Sequence, residues 1–287
     1  MNKLIVTFTP TGMLPQKDQT PYIPITPQEI ISDVRKACSI GISCVHLHAR
    51  DPQSGDPVWA KEYFEEIILG IRAFAPDLVV SVTTSGRFYN TFETRSDVLS
   101  LSGNAKPDLA SLTLSSLNFN HTASLNEPSM ILSLAKKMRE QGIKPELEAF
   151  DAGMINYAKY LIRKDIITPP YFFSLMLGNI TNAQANLLHA GIMLNDLPED
   201  SIAIMGGIGS SQLQVNTLAI AMGYGVRVGL EDNIWLDNDR TILATNADYL
   251  IRIHSIASSI GRDICTPVEL RKLLKLQPGF GKYGTEQ

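Results

Sequence analysis

The stretch Cys44-Val45-His46-Leu47-His48-Ala49-Arg50-Asp51-Pro52 reads as a short buried strand running into a loop. Side chains alternate faces along a strand, so His46 and His48 point one way while Val45, Leu47 and Ala49 turn into apolar packing. Burying two imidazoles side by side costs free energy unless something keeps them neutral and paired. Two histidines on one face of a strand end are therefore half of a metal site. The bland alternative is a pair of hydrogen-bonded core histidines. The metal reading requires a third ligand from elsewhere in the chain.

The elements that would position such a ligand follow from the apolar pattern. Strands are expected at residues 4–9, 44–49, 78–83, 109–114, 145–150, 171–177, 201–205 and 226–230. Helical patterns alternate with them, opening at Thr26 and ending near Gly41, then at about 61–74, 96–101, 128–140, 154–163, 182–192, 211–222 and 246–260. Thr26-Pro27-Gln28-Glu29 places a capping threonine, a proline in the first turn and a glutamate three residues after the cap. Thr266, Pro267 and Glu269 repeat that signature and predict a last short helix over 266–276. Eight alternations without a composition break point to an α/β protein with a single (β/α)8 TIM barrel, one catalytic domain over residues 1–287.

Composition narrows the class. The 287 residues are 44% hydrophobic and 19% charged, enough for a large core, and the formal charge of -4 leaves no basic footprint for nucleic acid or a membrane surface. Three cysteines, Cys38, Cys44 and Cys265, lack CxxC spacing, which argues against a disulfide framework and for a reducing compartment. No apolar run approaches a membrane span and the first residues lack a signal-peptide shape, so a soluble cytoplasmic protein is expected.

In such a barrel, functional groups sit at the C-terminal ends of the strands. There the chain offers Thr83 and Thr84, Ser111 and Thr113, Glu148, and the set Arg227, Glu231 and Asp232. In sequential order the second and eighth strands both flank the first, which brings Glu231 within reach of a metal held by His46 and His48. A His, His, Glu set with open positions suits zinc or another divalent ion acting as a Lewis acid on a carbonyl oxygen. Glu148 can also be an ordinary ion-pair partner and 227–233 a solvated turn, although a carboxylate in a barrel mouth beside Arg227 is costly without a use. His121, His189 and His254 read as structural or surface residues. Gly206-Gly207-Ile208-Gly209 lacks a dinucleotide signature, but before Ser210, Ser211 and a helix it offers N–H groups to a phosphate, with Gly207 and Gly209 as candidate contacts.

Val45-His46-Leu47-His48-Ala49-Arg50, Lys144-Pro145-Glu146-Leu147-Glu148-Ala149-Phe150 and Val226-Arg227-Val228-Gly229-Leu230-Glu231-Asp232-Asn233 together resemble the β-keto acid cleavage enzyme family. Thr11-Gly12, Pro24-Ile25-Thr26-Pro27, Lys106-Pro107-Asp108 and Gly207-Ile208-Gly209 support the match, in order along essentially the whole chain. The resemblance implies a zinc-dependent barrel, usually a homotetramer, that condenses a β-keto acid with acetyl-CoA to give acetoacetate and a new acyl-CoA. By motif it implies His46, His48 and Glu231 as metal ligands, Asp232 as the base for the substrate α-proton, Arg227 beside that base and Glu148 as a second acid. Thr83 and Ser111 replace a serine and a threonine of the best-known member and keep a hydroxyl. Leu14 stands where that member has a glutamate, so the substrate tail is expected to be uncharged, apolar or anionic rather than an ammonium group.

The residues themselves leave two other classes open. One is a metal-dependent aldolase or hydrolase acting on a carbonyl substrate without CoA. The other is a non-catalytic binding protein with structural histidines.

Overall fold

The computed structural model describes residues 2–276; residue 1 and residues 277–287 of the expected domain lie outside the described residues. Eight parallel strands close into a barrel in sequential order. They are β1 (Val6–Phe8), β2 (Cys44–Leu47), β3 (Val79–Val82), β4 (Leu109–Thr113), β5 (Lys144–Ala149), β6 (Tyr171–Leu177), β7 (Ser201–Gly207) and β8 (Gly225–Val228). The ring closes where β1 pairs on one edge with β2 and on the other with β8, Thr7 aligning with both Cys44 and Arg227.

The surrounding helices are α1 (Pro27–Ile40), α2 (Lys61–Arg72), α3 (Phe92–Ser96), α4 (Pro128–Glu140), α5 (Ala152–Arg163), α6 (Leu187–Asn195), α7 (Gln212–Met222), α8 (Asn246–Ser259) and α9 (Pro267–Leu273). Both threonine signatures form complete capping boxes, Thr26 with Glu29 and Thr266 with Glu269, and a third joins Thr245 to Asp248 at the start of α8. Each box satisfies two orphan N–H groups of a first turn.

Several expected bounds shift, three of them for reasons visible in the structure. The helix expected at 96–101 begins earlier, as α3, where the Thr91 side chain accepts from Thr94 N, and continues as a 3-10 turn over Asp97–Ser100. The helix expected from 182 starts only at Leu187, because the Asn186 side chain caps it through His189 N and Gln184 Nε2 ties the preceding loop to Asn179 O. Strand β7 runs on through Gly206 and Gly207, which align with Met176 and Leu177 of β6.

The main core lies between strands and helices, where Val45, Leu47, Val80, Val82 and Leu112 are fully buried. Alternation sends Ile5, Cys44, Val79, Leu109, Phe172 and Ile204 to a second cluster, packed against Leu270 and Leu274 at the C-terminal end of the chain. That cluster closes the N-terminal end of the barrel. Two residues further along β2 and β3, the same inward face carries His46 and Ser81. The interior therefore changes from apolar below to polar above.

Candidate active site

His46 Nδ1 lies 3.1 Å from Glu146 Oε2, an oxygen that also accepts from Ser81 Oγ at 2.5 Å. With Glu146 ionised, the imidazole proton sits on Nδ1 and leaves the Nε2 lone pair free for a metal. Nε2 of His46 and Nε2 of His48 are 3.2 Å apart, and Glu231 Oε1 is 3.1 Å from His48 Nε2. Two ligands of a tetrahedral ion sit about 3.3 Å apart when each is about 2.0–2.1 Å from the metal. Glu231 Oε2 is buried without a hydrogen-bond partner. Spacing, tautomer and the orphaned oxygen all fit a divalent ion held by His46, His48 and Glu231, whose ligand atoms lie within 4.8 Å of one another.

Arg227 binds the next group of residues together. Its Nη2 donates to Glu231 Oε1 at 2.6 Å, its Nε donates to Asp232 Oδ2 at 3.0 Å, and Nη1 lies 3.6 Å from Glu148 Oε1. Thr113 Oγ1 donates to Glu148 Oε2 at 2.7 Å, and Thr9 Oγ1 reaches Asp232 Oδ2 at 3.4 Å. One buried cation thus faces three carboxylates, and their proton affinities separate. Burial opposes the charge of Glu231, but Arg227 and His48 outweigh it and hold its carboxyl well below the usual range. For Asp232 and Glu148 burial wins over Arg227, and both carboxyls are pushed up. Groups of one chemical type driven apart in this way mark a site equipped to move protons.

A cavity of about 600 Å³ opens above these groups. Of the residues expected at the site, His48, Thr83, Thr113, Glu148, Gly209, Arg227, Glu231 and Asp232 line it. His46 stands behind His48. Thr84 and Ser111 do not face this cavity: Thr84 N donates to Ser111 Oγ at 3.1 Å and Thr84 Oγ1 to Ser111 O at 2.6 Å, a clamp between neighbouring strand ends. Gly207 is also off the wall, since a Cβ there would lie 2.4 Å from Ser211 O. The expected phosphate cradle is occupied by the chain itself: Ile208 N donates to Leu177 O, Gly209 N to Asp232 O and Ser211 N to Ile208 O. His121, read as a structural or surface residue, stands on the cavity wall.

Glu146 escaped the sequence reading although Glu146 and Glu148 are two apart on one strand and must share a face. Arg50 acts in support. Fully buried, it donates from Nη1 to Gly12 O at 2.9 Å, from Nη2 to Pro15 O at 3.1 Å and from Nε to Gly55 O at 2.6 Å. Gly12 has φ +65, and a Cβ there would lie 2.5 Å from Glu231 Cγ, so only glycine lets the loop after β1 lie this close to the Glu231 side chain.

Known proteins share both sequence and fold. The sequence model of the beta-keto acid cleavage enzyme family matches residues 3–276. The chain is 36% identical over 279 residues to the 3-keto-5-aminohexanoate cleavage enzyme of Fusobacterium nucleatum subsp. nucleatum, a match covering 96% of this chain and 99% of that protein. It is 33% identical over 279 residues to the 3-oxoadipate:acetyl-CoA acetyltransferase of Cupriavidus necator, covering 95% and 94% respectively. Among solved structures, apo ObcA gives a TM-score of 0.73 at 20% identity over 89% of this chain; the chain spans 66% of that one, and the likeness bears on fold alone. With the motif residues gathered in one barrel mouth and the family match running from residue 3 to residue 276, the chain belongs to the β-keto acid cleavage enzyme family.

Proposed function

We propose that this chain is a metal-dependent acyltransferase that condenses a β-keto acid with acetyl-CoA to give acetoacetate and a new acyl-CoA. The observation that carries this reading is Arg227 gripping Asp232 and Glu231 directly beside the two histidines. A divalent ion on His46, His48 and Glu231, zinc or another metal, supplies Lewis-acid polarisation of a carbonyl oxygen. Asp232, its proton affinity raised by burial, takes the proton from the carbon between the keto and carboxylate groups. Arg227 holds Asp232 oriented and ionised for that step. The substrate carbanion attacks the thioester carbonyl of acetyl-CoA, CoA passes to the other acyl group, and carbon–carbon cleavage releases acetoacetate. Glu148, its proton affinity also raised, serves as the second acid, and the hydroxyls of Thr83 and Thr113 contact substrate at the wall, which Gly209 lines with its N–H already given to Asp232 O.

The same reading takes residues 1–287 as one catalytic domain working in the cytoplasm. All three cysteines are free, which suits a reducing compartment, and no helix among the described residues is long and apolar enough to cross a membrane. We assign the chain a homotetramer on the family resemblance, with Leu187 and Leu188 of α6, 74% and 70% exposed, as an apolar face for contact between copies.

Elemental analysis paired with an acetoacetate and acyl-CoA assay over a panel of β-keto acids tests the proposal. One divalent ion per chain and acetoacetate formed only with acetyl-CoA are expected. Full activity of Asp232→Asn with metal retained would remove the base assignment. Turnover of the keto acid without acetyl-CoA would move the protein to the aldolase or hydrolase class.

A further inference from the structure

The cavity wall carries a cation that the chemistry above does not use. Arg87 follows β3 on the loop that also bears Thr83 and Ser85, and its guanidinium carbon lies 3.5 Å over the ring of Phe119. Its Nε is buried with no hydrogen-bond partner, and among the described residues its side chain forms no ion pair. Burial pushes Arg87 down to about 10, with the charge of Glu231 opposing, so the guanidinium sits in the field of the cavity floor without touching it. A partly buried guanidinium, stacked on one face, with its Nε unpartnered and, among the described residues, no carboxylate beside its outer donors, is a ready partner for an anion.

The distribution of charge says where that anion comes from. The acids lining the cavity are Glu148, Glu231 and Asp232, all held at the floor by Arg227. Higher up, the wall offers Arg87 and no carboxylate, and Leu14, 50% exposed, adds an apolar group. We infer that Arg87 receives a distal carboxylate of the keto acid, so that this chain selects β-keto acids bearing a second carboxylate at the far end. The inference rests on the reading above, which puts the keto end at the floor. The phosphates of CoA share the same anionic chemistry. Arg240, exposed at the rim, suits a bulky hydrated phosphate, whereas a stacked, partly buried guanidinium matches the planar fork of a carboxylate.

Leaving out acetyl-CoA allows binding to be read without turnover. The metal-loaded protein is titrated calorimetrically with 3-oxoadipate and with 3-oxohexanoate, which have equal chain length and differ in the distal carboxylate. Wild type is expected to favour 3-oxoadipate by about 10- to 100-fold, the range of a charge-assisted hydrogen-bonded contact. Arg87→Met should remove most of that preference while leaving 3-oxohexanoate binding, metal content and melting temperature unchanged; Arg87→Lys should keep part of it. In turnover, the KM for 3-oxoadipate should rise in Arg87→Met with kcat and the KM for acetyl-CoA unmoved. A separate titration with CoA reads the other source. The inference is overturned if wild type shows no preference, if Arg87→Met weakens both keto acids alike, or if it weakens CoA instead. Failure of the proposed reaction would appear differently, as the absence of acetoacetate with every keto acid, and would leave the binding titrations readable.

Discussion

His46 Nδ1 and Glu146 Oε2 meet at 3.1 Å across the barrel interior, although β2 and β5 are not neighbours in the sheet. Because Ser81 Oγ donates to the same carboxylate oxygen, the imidazole ring is held from behind by two strands at once. The nitrogen left free for a metal, Nε2, is thereby aimed by groups outside the candidate ligand set.

Removing that support is expected to loosen the ion. Glu146→Gln should lower metal affinity by about 10- to 100-fold, the usual effect of an outer partner of a metal histidine. Competition with a coloured chelator measures it, and an unchanged affinity would assign Glu146 to the core alone.

Arg227→Met leaves Glu148, Glu231 and Asp232 buried without their cation. Stability should fall by about 3–5 kcal/mol in urea unfolding at neutral pH, together with loss of turnover. The deficit should shrink on acidification, since Asp232 and Glu148, both pushed up by burial, take up protons first. Arg227→Lys restores the charge but not the fork, and should recover only part of the loss.

A second pH effect comes from the opposite end of the barrel. Lys144 is 1% exposed, and burial pushes its amine down to about 6. Between that value and the ordinary lysine range the unfolded chain binds a proton that the folded chain does not, so stability rises with pH over this window. Below about 6 both states are protonated and the penalty is complete. Lys144→Met should flatten the rise in melting temperature between pH 6 and pH 10, and an unchanged slope would refute the assignment.

Two neighbouring glycines should behave differently. A Cβ at Gly207 would lie 2.4 Å from Ser211 O and 2.8 Å from Gln212 Cα, both backbone, whereas Gly209 at φ +60 faces open space. Gly207→Ala is expected to cost about 1–3 kcal/mol through overpacking, with KM values of the folded enzyme unchanged. Gly209→Ala should cost about 1–2 kcal/mol through its left-handed backbone alone. A Gly207→Ala variant that kept its stability but lost affinity for acetyl-CoA would restore the glycine to a binding role.

The barrel was readable because its strands are covered on both faces and appear as apolar runs between capped helices. The bounds of β6 and α4 match the sequence pattern residue for residue. The start of α6 did not, since Asn179, Gln184 and Asn186 settle it through side-chain hydrogen bonds that no periodicity records. At the site, period-two spacing gave His46 and His48, and strand adjacency gave Glu231. Glu146 was hidden because its partner is 100 positions away across the interior. A glycine run before a helix suits either an anion cradle or tight packing, and only the pairing of β7 with β6 decides that Gly207 packs.

Arg50 anchors the carbonyls of Gly12 and Pro15, so the loop bearing Leu14 is fixed at the residues that bracket its tip. Position 14 is like a replaceable bit in a rigid chuck. The Leu14 side chain, 50% exposed, lines the cavity between those two anchors. On the proposed reading, side chains at such positions can be exchanged one at a time while the anchored loop keeps its course. An engineer can do the same, randomising positions 14 and 87 while leaving Arg50 untouched.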